Sequence, residues 1–471
     1  MQPPTRFSGS LSALWNRGPI WTESNRPSAR LIARPLREFL RIEASGSILL
    51  LIAAAVALLW ANSPWASAYD DFWHLKLSVD AGSFHIEESL QHWVNDGLMV
   101  IFFFVVGLEI KHELVHGDLR DPKTASLPIV AAIGGMVLPA LLYIAITGGT
   151  DASSGWGIPM ATDIAFAVGV LGLLGRRIPS AARVFMLTLA IVDDIGAILV
   201  IAVFYTDDLS MQWLAIAGAL LALIVLMRMM KIWAVPAYVV VGVALWFAVL
   251  ESGVHATLAG VALGLLTPAT ALLNESVARD YAQQALRDRH LNADELHRLR
   301  FLLGESVPMV ERLQNRLHPL SSYFVLPVFA LANAGVQLGG LGEALSSAVA
   351  LGIGAGLVIG KPVGIVLACF IAIRLGLGTL PRHTTWAQVV GLGFVAGIGF
   401  TVSLFIAGLS FGSDDLTDNA KIGILFASAI AAVAGTVLLA TMSPQPPEHE
   451  EDEDDSDDPA GSTDQEQSQP S

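Results

Sequence analysis

The sequence predicts an all-α polytopic membrane protein, and three observations lead to this fold class. Of the 471 residues, 54% are hydrophobic and only 15% are charged, whereas soluble domains carry about 25% charged residues. The mean hydropathy is +0.59. Twelve apolar segments also approach the ~20 residues that a helix needs to cross a bilayer. A soluble fold is excluded, because the chain has too few polar residues to cover a body of this length.

The predicted spans divide the chain into three parts. They are residues 46–61, 92–108, 126–147, 158–175, 181–204, 212–227, 235–250, 254–268, 320–337, 349–373, 388–411 and 421–441. This membrane domain, 46–442, follows an arginine-rich extension over 1–45 and precedes an acidic tail over 443–471, whose composition predicts disorder. Within the domain, residues 270–318 carry mixed charges at helical periodicity, which predicts an amphipathic helix outside the bilayer.

The distribution of basic residues predicts the orientation in the membrane. If the N-terminus is cytoplasmic, 24 of the 27 Lys and Arg fall in segments on the cytoplasmic side. The three exceptions are Lys76, Lys361 and Lys421. Because cytoplasmic loops of membrane proteins carry an excess of Lys and Arg, we expect a protein of the bacterial inner membrane with both termini in the cytoplasm.

The net charge of −15 is concentrated at one end of the chain. The tail after Met442 holds 11 carboxylates and no Lys or Arg, which leaves −4 for the other 442 residues. This distribution argues against a nucleic-acid partner. The single cysteine, Cys369, excludes an intrachain disulfide. We expect no cofactor and no resident metal.

A few ionisable residues lie inside the predicted spans, and they are the strongest indication of function. A charge at the bilayer centre costs at least ~2.5–3.5 kcal/mol. Asp163 lies in the fourth span, Asp193 and Asp194 lie midway along the fifth, Lys361 lies in the tenth, and His255 begins the eighth. Three acids against one lysine leave an excess of negative charge. The spans therefore need a cation or protons.

The adjacent pair Asp193–Asp194 suggests how such a site would work. Neighbouring residues on a helix point ~100° apart, so one carboxylate can face a cavity while the other meets another helix. Two close carboxylates in a low dielectric cannot both stay ionised without compensation. A hard cation such as Na⁺ prefers oxygen ligands and would displace the protons. Competition between H⁺ and Na⁺ for one site is itself an exchange mechanism.

The fourth and eleventh spans share signs of an interruption. Thr162 and Asp163 follow Pro159 closely, and three glycines, Gly393, Gly397 and Gly399, precede Phe400. Broken helices inside a membrane leave backbone ends that need compensating charge. We expect Asp163 to compensate half-helix N-termini and Lys361 to compensate C-termini.

Two other function classes remain open at this point. His112-Glu113-Leu114-Val115-His116 matches the HExxH signature of zinc proteases, although no segment supplies an evident third ligand. A Na⁺-coupled symporter would also use intramembrane acids, but it would need a pocket for an organic substrate. No polar or aromatic cluster in the sequence suggests such a pocket.

Several motifs, in order along the chain, resemble the NhaA family of bacterial Na⁺/H⁺ antiporters. They are Ala161–Ala167, Leu189–Ala197, Ser252–Leu258, Gly360–Pro362 and Gly397–Thr401, and the resemblance covers roughly residues 40–442. It implies an architecture of inverted repeats in which the fourth and eleventh spans are broken and cross. It also implies Na⁺, Li⁺ and H⁺ as transported ions, and a homodimer.

The resemblance further implies a role for each intramembrane residue. Asp193 and Asp194 would carry ions and protons, with Asp194 as the principal Na⁺ ligand, Thr162 nearby and Lys361 paired with Asp193. Asp163 would compensate the helix ends at the crossing. Two accessory residues are Asp96, which matches an acid lower in the bundle, and His255. Adjacent acids mark the electrogenic type of antiporter, which moves more protons inward than sodium ions outward.

The pH-sensing cluster of the family is matched only in part. Glu109, Lys111 and Glu113 agree with it, but His112 stands where an arginine is expected, which accounts for the zinc-protease match. His318 is kept, whereas Gln314 and Asn315 replace an acid and a histidine. The pH range of activation is therefore not implied by the resemblance.

Overall fold

A computed structural model describes residues 44–81, 84–206, 209–232, 234–287 and 292–442. The predictions for the N-terminal extension and for the acidic tail lie outside these residues. The helices, in chain order, are α1 Ser45–Ala61, α2 Ala66–Trp73, α3 Met99–Val115, α4 Pro122–Thr147, α5 Ile164–Leu174, α6 Ser180–Phe204, α7 Met211–Met229, α8 Val235–Leu250, α9 Thr257–Leu266, α10 Glu275–Arg287, α11 Ala293–Glu305, α12 Met309–Leu320, α13 Leu326–Asn333, α14 Leu341–Ser346, α15 Ala348–Gly354, α16 Lys361–Arg374, α17 Trp386–Ala396, α18 Phe400–Ser410 and α19 Asp414–Ala440.

Short segments of other helical geometry complete several of these helices. Single-turn π-helices lead into α3, α13 and α16, at Trp93–Leu98, Ser321–Val325 and Ala355–Gly360, and the turn Leu90–His92 precedes the first of them. Three 3₁₀ segments, Asp118–Arg120, Asp151–Met160 and Gly175–Arg177, flank α4 and α5. Such π-turns occur mostly inside α-helices and often near functional sites.

The prediction of an all-α membrane protein is confirmed, whereas the number of spans stays a prediction. Each of the twelve predicted segments overlaps a helix. Among the described residues, however, six helices are long and apolar enough to cross a bilayer, or eight if each of two bent pairs counts as one span. The apolar helices α8 and α9 are shorter. They are separated by a bend at Gly253, whose φ of +81° ends the helical path.

One departure from the all-helical prediction is a small β-hairpin in the loop that contains Lys76. Strand β1 (Lys76–Ala81) pairs antiparallel with β2 (Phe84–Ser89), and its register sets Lys76 opposite Ser89. Lys76 Nζ also lies 3.2 Å from a carboxylate oxygen of Glu87 on the opposite strand.

The segment 270–318 forms helices α10, α11 and most of α12, where the sequence predicts one amphipathic helix. Asn292 begins α11 with a capping box, in which it accepts a hydrogen bond from Glu295 N while the Glu295 side chain accepts one from Asn292 N. The guanidinium of Arg312 on α12 meets the carboxylate of Glu305 at the end of α11, 2.9 Å away. This pair ties the segment to the helix that carries His318.

The predicted breaks in the fourth and eleventh spans are present, and the two broken segments cross. The chain runs from the 3₁₀ segment Asp151–Met160 through extended residues into α5, and a bend of 45° separates α17 from α18. At the crossing, Asp163 N donates to Ile398 O at 2.7 Å. Ser403 Oγ donates to Ile158 O, also at 2.7 Å. Backbone groups freed by each break are therefore satisfied by the other chain segment.

Close packing of α4 against α16 fixes the position of Lys361, the first residue of α16. A Cβ atom added to Gly134 would lie 2.5 Å from Gly364 O, and one added to Gly135 would lie 3.8 Å from the Lys361 side chain. Glycine lets the two helices approach this closely, as small residues do in membrane bundles.

We expect Gly364→Ala to destabilise the protein by about 1–3 kcal/mol, because the added methyl group would overlap the backbone of α4. The matched control is Gly354→Ala, since a Cβ at Gly354 meets no atom within 4 Å. Thermal unfolding of the two purified variants in one detergent measures the difference. Equal melting temperatures would contradict this account of the α4–α16 contact.

Candidate ion-binding site

Five residues that the sequence singles out come together at the crossing of the broken spans. Thr162, Asp163, Asp193, Asp194 and Lys361 are all buried, and none has more than 4% of its surface exposed. They come from three parts of the chain, which are the break before α5, the middle of α6 and the start of α16. The break before α18 contacts them through Thr401 and Ile398. The hydrogen bonds of each side chain distinguish its role.

Asp163 lies between two helix N-termini. Its Oδ1 accepts from Phe166 N at 3.1 Å, which caps α5. Its Oδ2 accepts from Thr401 N at 3.0 Å and from Thr401 Oγ1 at 2.6 Å, in the first turn of α18. A carboxylate is favourable at a helix N-terminus because the unpaired N–H groups there carry partial positive charge. The geometry agrees with the predicted compensating position.

Lys361 makes two contacts that share its positive charge. Its Nζ lies 2.7 Å from Asp193 Oδ2, and both side chains are completely buried. The same Nζ donates a hydrogen bond to Met160 O, at the C-terminal end of the 3₁₀ segment. Lys361 therefore lies at the negative end of a broken helix and also pairs with one acid of the adjacent pair.

Thr162 connects Asp193 with the end of α17. Its hydroxyl lies 2.6 Å from Asp193 Oδ2 and 2.9 Å from Ala396 O, the last carbonyl of α17. A hydroxyl has one proton to donate, so it serves one of these acceptors at a time. The Thr162 hydroxyl can therefore switch partner when Asp193 changes its protonation or ligand.

Asp194 has no compensating partner in the described part of the chain. Its Oδ1 is buried without a hydrogen-bond partner, as is Oδ1 of Asp193. The described ion pairs place Lys361 with Asp193 and place no base beside Asp194. Unpaired buried carboxylate oxygens are costly, so this arrangement calls for a proton or a cation.

A cavity of about 110 Å³ reaches Asp194 and continues away from it. Its polar lining consists of Ser47, Glu109, Asp163, Asp194, His318, Ser321, Ser322, Tyr323 and Thr401. Asp193 does not line it, so the adjacent acids face different surroundings, as their ~100° separation predicts. The volume exceeds what a single water molecule needs, and the lining supplies oxygen atoms of the kind that hard cations prefer.

The pH-sensing candidates are only partly brought to this cavity. Glu109 and His318 line it, and burial lowers the pKa of the His318 imidazole below its ordinary value. Glu113 is not among its lining residues and accepts a hydrogen bond from Asp118 N at 3.1 Å. Burial, with a smaller contribution from Arg228, lowers the pKa of Lys111, which also lies outside the lining.

The two accessory residues lie apart from the cavity lining. Asp96 Oδ2 is 2.8 Å from His92 Nε2, one turn earlier on the same helical segment. His255 Nε2 contacts the backbone carbonyl of Tyr205, just after α6. Neither residue contacts the adjacent acids through any hydrogen bond or ion pair described here.

The HExxH match places two imidazoles near each other without the rest of a metal centre. The rings of His112 and His116 are 5.5 Å apart between centroids. Within the described ranges, no group of three or more His, Cys, Asp or Glu side chains is arranged to hold a metal ion.

Sequence reasoning assigned no role to Thr401, which donates twice to Asp163. It also could not identify the two backbone acceptors, Met160 O and Ala396 O. A signal for Thr401 exists, because a hydroxyl residue in the first turn after a glycine break can donate a hydrogen bond to a carboxylate at that helix N-terminus. The carbonyls carry no such signal, since any residue type supplies one.

Comparisons with known proteins agree on one family. A family model described as Na⁺/H⁺ antiporter 1 matches residues 37–439. The Na⁺/H⁺ antiporter NhaA 2 of Sorangium cellulosum is 47% identical over 425 residues, covering 88% of this chain and 91% of that protein. The NhaA antiporter of Rhodopirellula baltica is 48% identical over 421 residues, covering 88% and 95%. The chain therefore belongs to the NhaA family of Na⁺/H⁺ antiporters, which are secondary transporters and not enzymes.

Proposed function

We propose that Asp194 and Asp193 form the site at which Na⁺ and protons compete during transport. The observation that carries the proposal is the unpartnered, buried carboxylate of Asp194 at the cavity. With Lys361 held by Asp193, the local charge of the three groups is −1 when both acids are ionised. One Na⁺ or one proton restores neutrality at Asp194.

The proposed exchange cycle adds a second proton to this charge balance, taken by Asp193 when its ion pair with Lys361 breaks. Na⁺ entering the cavity binds Asp194 and takes further oxygen ligands, for which we propose the unpartnered Asp193 Oδ1 and the Thr162 hydroxyl. Loss of Na⁺ on the opposite side lets both acids take protons, and Lys361 then keeps only the Met160 carbonyl. Two protons returning for each Na⁺ exported make the cycle electrogenic. The broken spans supply the elements that rearrange between the two states.

The proposal also covers Li⁺ as a substrate, the orientation in the membrane, the oligomeric state and the residues that sense pH. Li⁺, a smaller hard cation, would use the same oxygen ligands. The excess of Lys and Arg on one side supports an inner-membrane protein with cytoplasmic termini and with the Glu109 and His318 end of the cavity facing the cytoplasm. We further propose a homodimer. Glu109, Lys111, Glu113 and His318 are the proposed pH-sensing residues.

Asp194→Asn should abolish Na⁺- and Li⁺-induced exchange, because an amide cannot release a proton or supply a negative charge to the cation. Decay of the transmembrane pH difference in everted vesicles, measured with a fluorescent amine, detects this exchange. Asp280→Asn, an exposed acid on α10, is the control that should transport normally. If Na⁺ restored the fluorescence of the amine equally well in Asp194→Asn and in the parent protein, the ion-binding site would be elsewhere.

Lys361→Met should lower stability by about 3–5 kcal/mol, because it leaves the buried Asp193 carboxylate without its partner. Adding Asp193→Asn removes that charge, so the double variant should be less destabilised than the two single effects together predict. Fluorescence-detected size exclusion after heating gives the melting temperatures of the parent protein, the two single variants and the double variant. Strictly additive shifts would be incompatible with a coupled pair.

His116→Ala separates the antiporter from the metalloprotease alternative. The change removes one imidazole of the HExxH match but no group of the acid site. Na⁺-induced exchange in everted vesicles should persist at the parental rate. A zinc ion retained by the purified parent protein and lost together with activity in this variant would instead favour the protease alternative.

A further inference from the structure

Three exposed arginines lie at the end of the bundle where the described part of α19 ends, and one of them contacts α19 directly. The tail begins after Met442, two residues beyond the end of α19. Arg177, in the 3₁₀ turn after α5, donates a hydrogen bond to Ala440 O, the last carbonyl of α19. A guanidinium has five N–H donors, so Arg177 keeps donors for another acceptor. Its side chain is exposed.

Two further arginines lie in and beside the loop that leads into α17, at the same end of the bundle. Helix α17 packs closely along the end of α19, where a Cβ at Gly391 would lie 2.6 Å from Leu439 Cδ2. The loop before α17 therefore approaches the root of the tail, and it carries Arg382. At its other end, Arg374 lies over the Phe370 ring at 5.1 Å, and that ring contacts Trp386, the first residue of α17.

These three arginines have no acidic partner in the described part of the chain. Arg177, Arg374 and Arg382 are exposed, and none belongs to a described ion pair. Exposed bases without carboxylates nearby create a positive surface that attracts anions. We call this surface the arginine rim.

The tail has the charge and the reach to cover the arginine rim. Residues 448–458 contain nine carboxylates and no Lys or Arg. The first of them, Glu448, is six residues after Met442, which limits its distance to ~21 Å at full extension. So short a tether gives an effective concentration of the tail in the millimolar range.

We propose that the acidic tail, residues 443–471, docks on the arginine rim formed by Arg177, Arg374 and Arg382. Each contact is an exposed ion pair worth about 0.2–1 kcal/mol, and the binding comes from several such pairs acting together. Because exposed pairs are screened by salt, the docking weakens as ionic strength rises. The docking depends on charge and position alone and does not depend on the proposed ion site.

Cross-linking in the full chain tests the docking. The test protein carries Cys369→Ser, which removes the native thiol. It also carries Ser456→Cys in the acidic run and Thr379→Cys in the exposed loop between Arg374 and Arg382, and every tail carboxylate stays in place. In phosphatidylcholine vesicles, a short bis-maleimide should join them efficiently at about 0.01 M salt. The yield should fall severalfold at about 1 M KCl, where the Debye length is about 3 Å.

Charge variants in this background provide the matched controls. Replacing Arg177, Arg374 and Arg382 by Gln should lower the low-salt yield to the high-salt level. Replacing Arg298 and Arg300 by Gln, two exposed bases on α11, should not. A cross-linking yield that changes neither with salt nor in the triple Arg→Gln variant would overturn the docking. The arginine rim would then be a site for anionic lipid headgroups. In that case, vesicles containing phosphatidylglycerol would show headgroup binding by the parent protein and none by the triple variant.

Discussion

The structure depends on two helix breaks that face each other inside the bundle. A break in a membrane-spanning helix exposes backbone N–H and C=O groups where no water can satisfy them. Here Asp163 accepts hydrogen bonds from the starts of α5 and α18, while Lys361 donates to Met160 at the end of a 3₁₀ segment. The crossing is therefore compensated by one acid and one base, and the base also pairs with Asp193 of the proposed ion site.

The number of partners around each acid separates structural from exchangeable charge. Asp163 uses both oxygens in three hydrogen bonds, so it has little capacity left for a ligand. Asp193 uses one oxygen for Lys361 and Thr162 and keeps the other free. Asp194, with a buried oxygen and no base beside it, has the greatest need for a cation. The three acids are chemically identical, and only their surroundings distinguish them.

The parts of this site that the sequence could predict are those with a large free-energy cost. Asp163, Asp193, Asp194 and Lys361 stand out because ionisable groups within apolar spans are expensive and therefore rare. The broken spans were predictable from glycines and a proline at the matching places. Both kinds of signal are local, so they can be recognised without knowing how the helices pack.

What the sequence could not predict depends on how the helices are aligned with one another. Glu109 and Glu113 are one turn apart on the same face of α3, yet only Glu109 lines the cavity, because the cavity does not extend one turn farther along the helix axis. The hairpin β1–β2 was missed although Leu77 and Val79 alternate with polar residues around Gly82. That signal is short, and apolar segments on both sides outweigh it. The contacts of the Thr162 hydroxyl likewise depend on α17 arriving from more than two hundred residues away.

In the proposed function, the preference for cations depends on which charges at the crossing already have a partner and which are left at the cavity. Two helix N-termini pointing at one place would by themselves attract an anion. Asp163 occupies that place and satisfies both ends, so their positive potential is not available to the cavity. Lys361 is likewise taken by Asp193 and Met160. The charges left facing the cavity are the carboxylates of Asp194 and Glu109. In the proposed site, Lys361 and both N-termini are already compensated, and the carboxylates that remain at the cavity favour a cation.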